Sequence, residues 1–158
     1  YAELVSNLLW KPMGAQWDAY VTVDRLGAAR AGGGICTTLR DLARIGMVMR
    51  DAGHALDSAV ISDVWIRDTV EGGDRNAWIK GNFSAFLPDG CYRNFWYQTR
   101  NASGAYFALG IHGQWLYIDP KSSVVIAKVS AQEEPENDPL DQILLKAFDS
   151  ICRTLESL

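Results

Sequence analysis

The stretch AYFALGIHGQWLYIDPKSSVVIAKVS, residues 105–130, alternates bulky apolar residues over three short runs and changes direction at glycine and at Asp-Pro-Lys-Ser. Ala105 to Ile111, Gln114 to Asp119 and Ser123 to Ser130 read as β-strands, with residues 119–122 as the turn before the last. Gly110 and Gly113 flank Ile111-His112 and mark a bulge or a close backbone approach. Upstream, Tyr92 to Arg100 reads as one more strand, turned by Asn101-Ala102-Ser103-Gly104. The first pair and the last pair are expected to be antiparallel hairpins. Alternation puts Trp96 and Tyr97 on opposite faces, so at most one of them can face a cleft.

Helical periodicity surrounds this meander. Gln132 to Asn137 is a polar loop. Asp138 then caps a helix with Pro139 at its first position, and Ile143, Leu144, Ala147, Phe148, Ile151 and Leu155 give it a wide apolar face. Before the strands, Thr37 or Thr38 caps a helix over Leu39 to Asp51 that stops at Gly53. Its stripe is Leu39, Leu42, Ile45, Val48 and Met49, with Arg40, Asp41, Arg44 and Arg50 expected to face water. Ser62 opens another helix through Trp65, Ile66 and Val70, ended by Gly72-Gly73. Residues 1–10 form an opening helix on Leu4, Val5, Leu8 and Leu9, and Asp18 to Arg25 is extended. Gly27 to Gly34 (GAARAGGG) is the strongest breaker in the chain. The expected fold is α+β in one unit, residues 1–158. Residues 1–90 form a helix and loop segment; residues 91–158 form an antiparallel sheet covered by the C-terminal helix.

The 158 residues favour one domain, and 48% hydrophobic against 22% charged residues excludes general disorder. A net charge of −4 gives no electrostatic drive toward nucleic acid or an anionic membrane surface. No apolar run approaches the ~20 residues a membrane span needs. Cys36, Cys91 and Cys152 are sparse, odd in number and without a CxxC pair. Free thiols in a reducing, cytoplasmic compartment fit them better than a disulfide framework in the periplasm. Two histidines, His54 and His112, make a histidine-rich metal site improbable, and no metal or cofactor is expected. The chain begins with Tyr1 inside helical periodicity, as the middle of a longer chain would.

Chemistry is conspicuous by its gaps. No lysine has Ser three residues before it, so the Ser-x-x-Lys pair, in which an amine takes the hydroxyl proton, has no counterpart. Gly-x-Ser-x-Gly, His-Glu-x-x-His and the phosphate-binding glycine loops have none either. Gly110-Ile111-His112-Gly113-Gln114 admits two readings. One is a β-bulge whose imidazole satisfies a local hydrogen bond; the other is an edge strand that presents main-chain N–H groups to a cleft, as acyl transfer requires.

Three patches together resemble one family. Gly33-Gly34-Ile35-Cys36-Thr37-Thr38-Leu39-Arg40-Asp41-Leu42-Ala43-Arg44-Ile45-Gly46 is similar to the glycine loop and helix in the latter half of class C β-lactamase-like, penicillin-recognising serine hydrolases. The opening LLWKPMGA resembles the helix end before it. Gly110 to Gln114 with Trp115 to Pro120 resembles the third motif of the 6-aminohexanoate-dimer hydrolase and esterase branch.

The resemblance implies the C-terminal part of a β-lactamase/transpeptidase-like fold. It implies cleavage of an ester or amide through an acyl-enzyme, with Ser-x-x-Lys and Tyr-x-Asn on a preceding part of the same domain. It assigns the oxyanion donor to the Ile111 N–H, and substrate contacts to His112, Gly113, Gln114, Gly32, Gly33 and Tyr97. His112-Gly113-Gln114 carries no ammonium group for a β-lactam's carboxylate, so the expected substrates are small esters or amides. Tyr92-Arg93-Asn94 matches Tyr-x-Asn in letters only, since it follows the glycine loop. The competing reading is a non-catalytic binding or interaction module that keeps the fold; a lipid-carrier-like domain would need a closed apolar cavity. Without the preceding part, Trp115, Tyr117 and the last helix are expected to be partly uncovered.

A negative outcome follows for the chain by itself. It is expected to take no label from a serine-directed fluorophosphonate and to turn over no nitrophenyl ester; stoichiometric labelling of any serine would refute this reading of its chemistry.

Overall fold

The computed structural model describes residues 1–157. Five antiparallel strands form the central sheet, in the order β5 (Cys91–Arg93), β6 (Trp96–Gln98), β7 (Tyr106–Gly110), β8 (Gln114–Asp119) and β9 (Val124–Lys128). The sheet differs from the sequence reading in two places. The expected strand from Tyr92 to Arg100 is a hairpin, because Asn94 and Phe95 both take positive φ, 51° and 69°, and reverse the chain. Asn94 is held there by Nδ2 hydrogen bonds to Asp68 Oδ2 (3.0 Å) and Thr69 Oγ1 (2.9 Å). Residues 111–113 are likewise a turn, with His112 at φ 59° and Gly113 at φ 77°. They join β7 to β8, which pair from Tyr106↔Ile118 to Gly110↔Gln114. Neither a bulge within one strand nor an edge strand describes this segment, since β8 lies between β7 and β9.

Both faces of β8 are buried. Trp115 and Tyr117 pack with Phe107 and Tyr97 against Phe148 and Cys152 of α5 (Asp138–Glu156). Leu116 and Ile118 point the other way, with Tyr106 and Trp96, against Met49 of α2 (Leu39–Arg50) and Ile66 of α3 (Asp63–Glu71). The sheet is therefore the middle of three layers. Trp115 and Tyr117 are each 1% exposed, so the expected uncovering of these two residues does not occur. Ring contacts explain this, since Phe148 meets Trp115 at 5.6 Å and Tyr117 at 5.4 Å between centroids. Ile143, Ile151 and Leu155 of α5 do remain on the outside.

The α2 layer depends on a close approach. A Cβ at Gly46 would run into Val125 Cγ1 and sit 2.9 Å from Leu116 Cδ1, so the helix backbone lies directly on β8 and β9. Thr38 caps α2, its Oγ1 accepting from the Asp41 N–H. The Asp41 side chain does not face water as expected: it is fully buried. Its carboxylate accepts from the N–H groups of Gln16 (2.9 Å) and Trp17 (3.2 Å), from the Thr38 hydroxyl (2.9 Å) and from Arg44 (2.8 Å). Burial pushes its pKa up, but these four donors outweigh burial and hold it below the usual carboxylate value. Leu39, expected in the stripe, is exposed instead.

The same carboxylate ties down the opening segment. Helix α1 (Ala2–Val5) continues as π-helical turns over Ser6–Trp10. Leu4 and Leu8 of the expected stripe stay exposed, while Trp10 and Met13 pack with Val48. The Trp10 indole donates to Trp17 O (2.8 Å). Residues 20–36 then form a narrow ribbon, β1 (Tyr20–Val21) against β2 (Ile35–Cys36), and Tyr20, Val23 and Leu26 on it are exposed. The hairpin β3 (His54–Ala55) with β4 (Ser58–Ala59) and the short helix α4 (Arg75–Ile79), capped by Asp74, were not legible in the periodicity. All three cysteines are free thiols, Cys91 and Cys152 buried. Among the described residues no helix is long and apolar enough to cross a membrane.

Asp41→Ala is expected to destabilise the fold by about 3 kcal/mol, since it strips a buried, hydrogen-bonded carboxylate from its donors. The native pKa is depressed, so this stabilisation is complete above the unfolded carboxylate range and is lost as pH falls through the native value. Chemical denaturation of wild type and variant from pH 7 down to pH 3 checks it: the gap between the two should close with acid.

Candidate active site

The β7–β8 turn is stapled to the loop after β9. The His112 N–H donates to Pro135 O (2.9 Å) and the Gln132 N–H donates to His112 O (3.4 Å). His112 Nδ1 lies 2.9 Å from Gln132 O, and because a carbonyl only accepts, Nδ1 carries the proton. Gln114 Nε2 donates to Ser130 O (2.6 Å) and His112 O (3.2 Å), and its Oε1 accepts from the Ser130 N–H (3.3 Å). Lys128 Nζ donates to Gly113 O (2.9 Å). Gly113 suits its place: its φ of 77° is one that glycine adopts without strain, and a Cβ there would displace the end of the Gln132 side chain.

Two main-chain N–H groups of this turn, those of Ile111 and Gly113, have no hydrogen-bond partner among the described residues. Ile111 is 63% exposed. Ile111 and Gly110 line a cavity of about 220 Å³, with Phe83, Tyr97, Glu136 and Asp141 among the other walls. Tyr97 stacks on Phe107 at 5.3 Å, and burial raises its hydroxyl pKa. A second cavity, about 460 Å³, shares Phe83 and Tyr97 and adds Trp78 and Tyr92.

The expected site residues fall into three places. Ile111 and Tyr97 share the wall of the smaller cavity. His112, Gly113 and Gln114 take part in the staple beside it. Gly32 and Gly33 lie in an exposed turn of the 20–36 ribbon, in open space, and line no part of this cavity. Trp96 and Tyr97 do take opposite faces, Trp96 toward α2 and α3 and Tyr97 toward α5.

Asp141, in the first turn of α5, was not among the expected site residues. It is 6% exposed and lines the cavity from the first turn of α5. Burial pushes its pKa up, the Trp115 indole pulls it down, and Asp138 pushes it up again; the net direction is upward. Its position was readable, since 141, 145, 148 and 152 follow helical spacing and share the inward face. Among the described residues no group of three or more His, Cys, Asp or Glu converges as a metal site.

Comparison with known proteins gives three findings. A family model described as Beta-lactamase matches residues 2–148. A curated 6-aminohexanoate-dimer hydrolase of Paenarthrobacter ureafaciens is 40% identical over 136 residues, which is 86% of this chain and 35% of that protein. A solved structure from Bacillus anthracis, provisionally named a 6-aminohexanoate-dimer hydrolase, superposes with a TM-score of 0.81 at 29% identity. The overlap is 98% of this chain and 38% of that one. The chain thus spans little more than a third of the length of the relatives it matches.

Gln114→Ala removes three hydrogen bonds from the staple and is expected to cost about 2 kcal/mol. Hydrogen exchange should accelerate at the amides of Ser130, Gln132 and His112 and stay unchanged at Tyr117 and Ile118. Unchanged exchange at the first three would show that the staple does not depend on Gln114.

Proposed function

The chain belongs to the Beta-lactamase family, whose model matches residues 2–148, and we propose that it is the C-terminal part of a serine hydrolase that cleaves an ester or amide through an acyl-enzyme. In this reading the nucleophilic serine and its base lie on a preceding part of the same domain. The serine hydroxyl gives its proton to the base and adds to the substrate carbonyl. The Ile111 N–H donates to the resulting oxyanion, the leaving alcohol or amine departs with a proton, and water releases the acid.

The carrying observation is the unpartnered Ile111 N–H on the wall of a cavity, in a turn whose His112 and Gln114 are held by hydrogen bonds to the loop after β9. Such a donor costs no reorganisation as charge develops. His112, Gly113 and Gln114 serve this donor by fixing the turn rather than by touching substrate. Tyr97 supplies an aromatic wall, and Gly32 with Gly33 an open loop over which the rest of the domain or the substrate can pass. Both relatives are named for the 6-aminohexanoate dimer, whose units an amide bond joins, and this supports an amide as substrate.

The test uses the full-length protein. Ile111→Pro removes the donor and is expected to lower kcat on the order of 10²-fold with little change in KM, while Ile111→Ala stays near wild type. Gly113→Val, which displaces the turn, should resemble the proline variant. A proline variant as active as the alanine variant would overturn the oxyanion assignment. A full-length protein whose serines are not phosphonylated by a fluorophosphonate, with loss of fluoride, would favour the non-catalytic module.

A further inference from the structure

We infer that the groove between the outward face of α2, residues 13–16 and the β3–β4 hairpin is a binding site for a medium-chain alkyl carboxylate, with Arg40 and Arg44 meeting the carboxylate and Leu56 covering the alkyl chain. The site stands apart from the proposed hydrolase, since it shares no lining residue with the cavity at Ile111.

Three observations carry it. First, the space is large and apolar underneath. It holds about 570 Å³, more than twice the cavity at Ile111 and within the span of roughly 300–1,000 Å³ common to small-ligand pockets. Met13 and Val48, both buried, lie beneath it, and Met47, Ala55 and Leu56 carry the apolar lining outward.

Second, the cations on its wall are not matched by anions. Arg40, Ala43, Arg44 and Met47 recur at helical spacing along one side of α2 and all line the groove. Arg40 makes no hydrogen bond or ion pair among the described residues, and Arg44 engages one terminal nitrogen, with Asp41 at 2.8 Å. Two guanidiniums four residues apart on one helix face repel each other. The acids nearby are already occupied. Asp41 is fully buried among its four donors. Asp51, the one carboxylate among the lining residues, is gripped by Arg50 through Nε at 2.6 Å and a terminal nitrogen at 2.7 Å, which holds its carboxyl below the usual range. His54 on the same wall adds no negative charge. In a chain of net charge −4, this is a local excess of positive charge beside an apolar floor. An alkylammonium would meet like charge there, and an alcohol would leave both guanidiniums unanswered.

Third, Leu56 stands where folding alone does not favour it. Leu56 and Asp57 take positive φ, 47° and 63°, at the tip of the β3–β4 hairpin, a place that asparagine and glycine fill with least strain. Leu56 is also 76% exposed. Its side chain lies across Gly14, where a Cβ would stand 2.7 Å from Leu56 Cδ1. A branched apolar side chain held at the rim of a groove, in a strained backbone position, closes over an alkyl chain lying within.

Calorimetry on the full-length protein with octanoate, 1-octanol, n-octylammonium and inorganic phosphate tests the site without any turnover. Wild type is expected to bind octanoate at least ~10-fold more tightly than each of the other three. Arg40→Gln should lower octanoate affinity about 5-fold and leave octanol unchanged, with Arg40→Lys restoring part of it. Leu56→Asn should weaken octanoate and octanol alike by about 5-fold, while its melting temperature stays level or rises because the strained position is relieved. Octanoate binding no tighter than octanol in wild type would overturn the inference, as would phosphate binding as tightly as octanoate. An octanoate affinity indifferent to Arg40→Gln would overturn it too, since binding at the Ile111 cavity would be blind to that change. Should Leu56→Asn unfold, the Arg40 variants decide. Ester hydrolysis is expected to be the same in Arg40→Gln and wild type, so failure to hydrolyse and failure to bind octanoate are separate results.

Discussion

Strand β8 cannot leave either face in water. Trp115 and Tyr117 on one side and Leu116 and Ile118 on the other demand cover from two directions, and the three layers are the answer to that demand. Once α5 and α2 are pressed on opposite faces, the ends of β8 are fixed as well. The turn before it is then aimed at the start of α5, and the loop after β9 must pass beside it. The cavity at Ile111 is the gap left where a sheet end, a helix start and a crossing loop meet.

The Asp41 carboxylate performs a comparable service at the other end of α2. A helix cap ordinarily ends the account of its own first turn, but here the third residue of that turn reaches across to the N–H groups of Gln16 and Trp17. One charged group thereby holds a helix, its cap and a distant loop in register. The arrangement is stable only because every one of its donors is present, which is why a buried charge can be tolerated there.

The strands and long helices were legible because their signals are repetitive. Period two over 105–130 and the helical stripe over 138–156 survive any detail of tertiary structure. What was not legible is where single residues override the pattern. Asn94-Phe95 lies inside an apolar alternation with no glycine to announce a turn, so a hairpin was read as one strand. Asp41 carries the charge of a surface residue and was placed outside; its buried donors belong to residues 24 and 25 positions earlier, which no local window contains. The Ile111 and Tyr97 wall came from resemblance, not from periodicity. Asp141 was open to helical spacing, which puts it on the inward face with Leu145, Phe148 and Cys152.

The closeness of α2 to the sheet has a consequence for how this sequence can vary. At position 46 the space for a side chain is already filled by Val125 and Leu116, so the alphabet there shrinks to one letter. Arg40 and Met47, on the outward side of the same helix, carry no such restriction. A randomised library of α2 selected for folding would therefore return glycine at 46 almost alone and a broad spectrum at its neighbours. That single invariant column would act as a ruler: it sets the distance between two layers, and any drift of the helix along the sheet would have to carry the glycine with it.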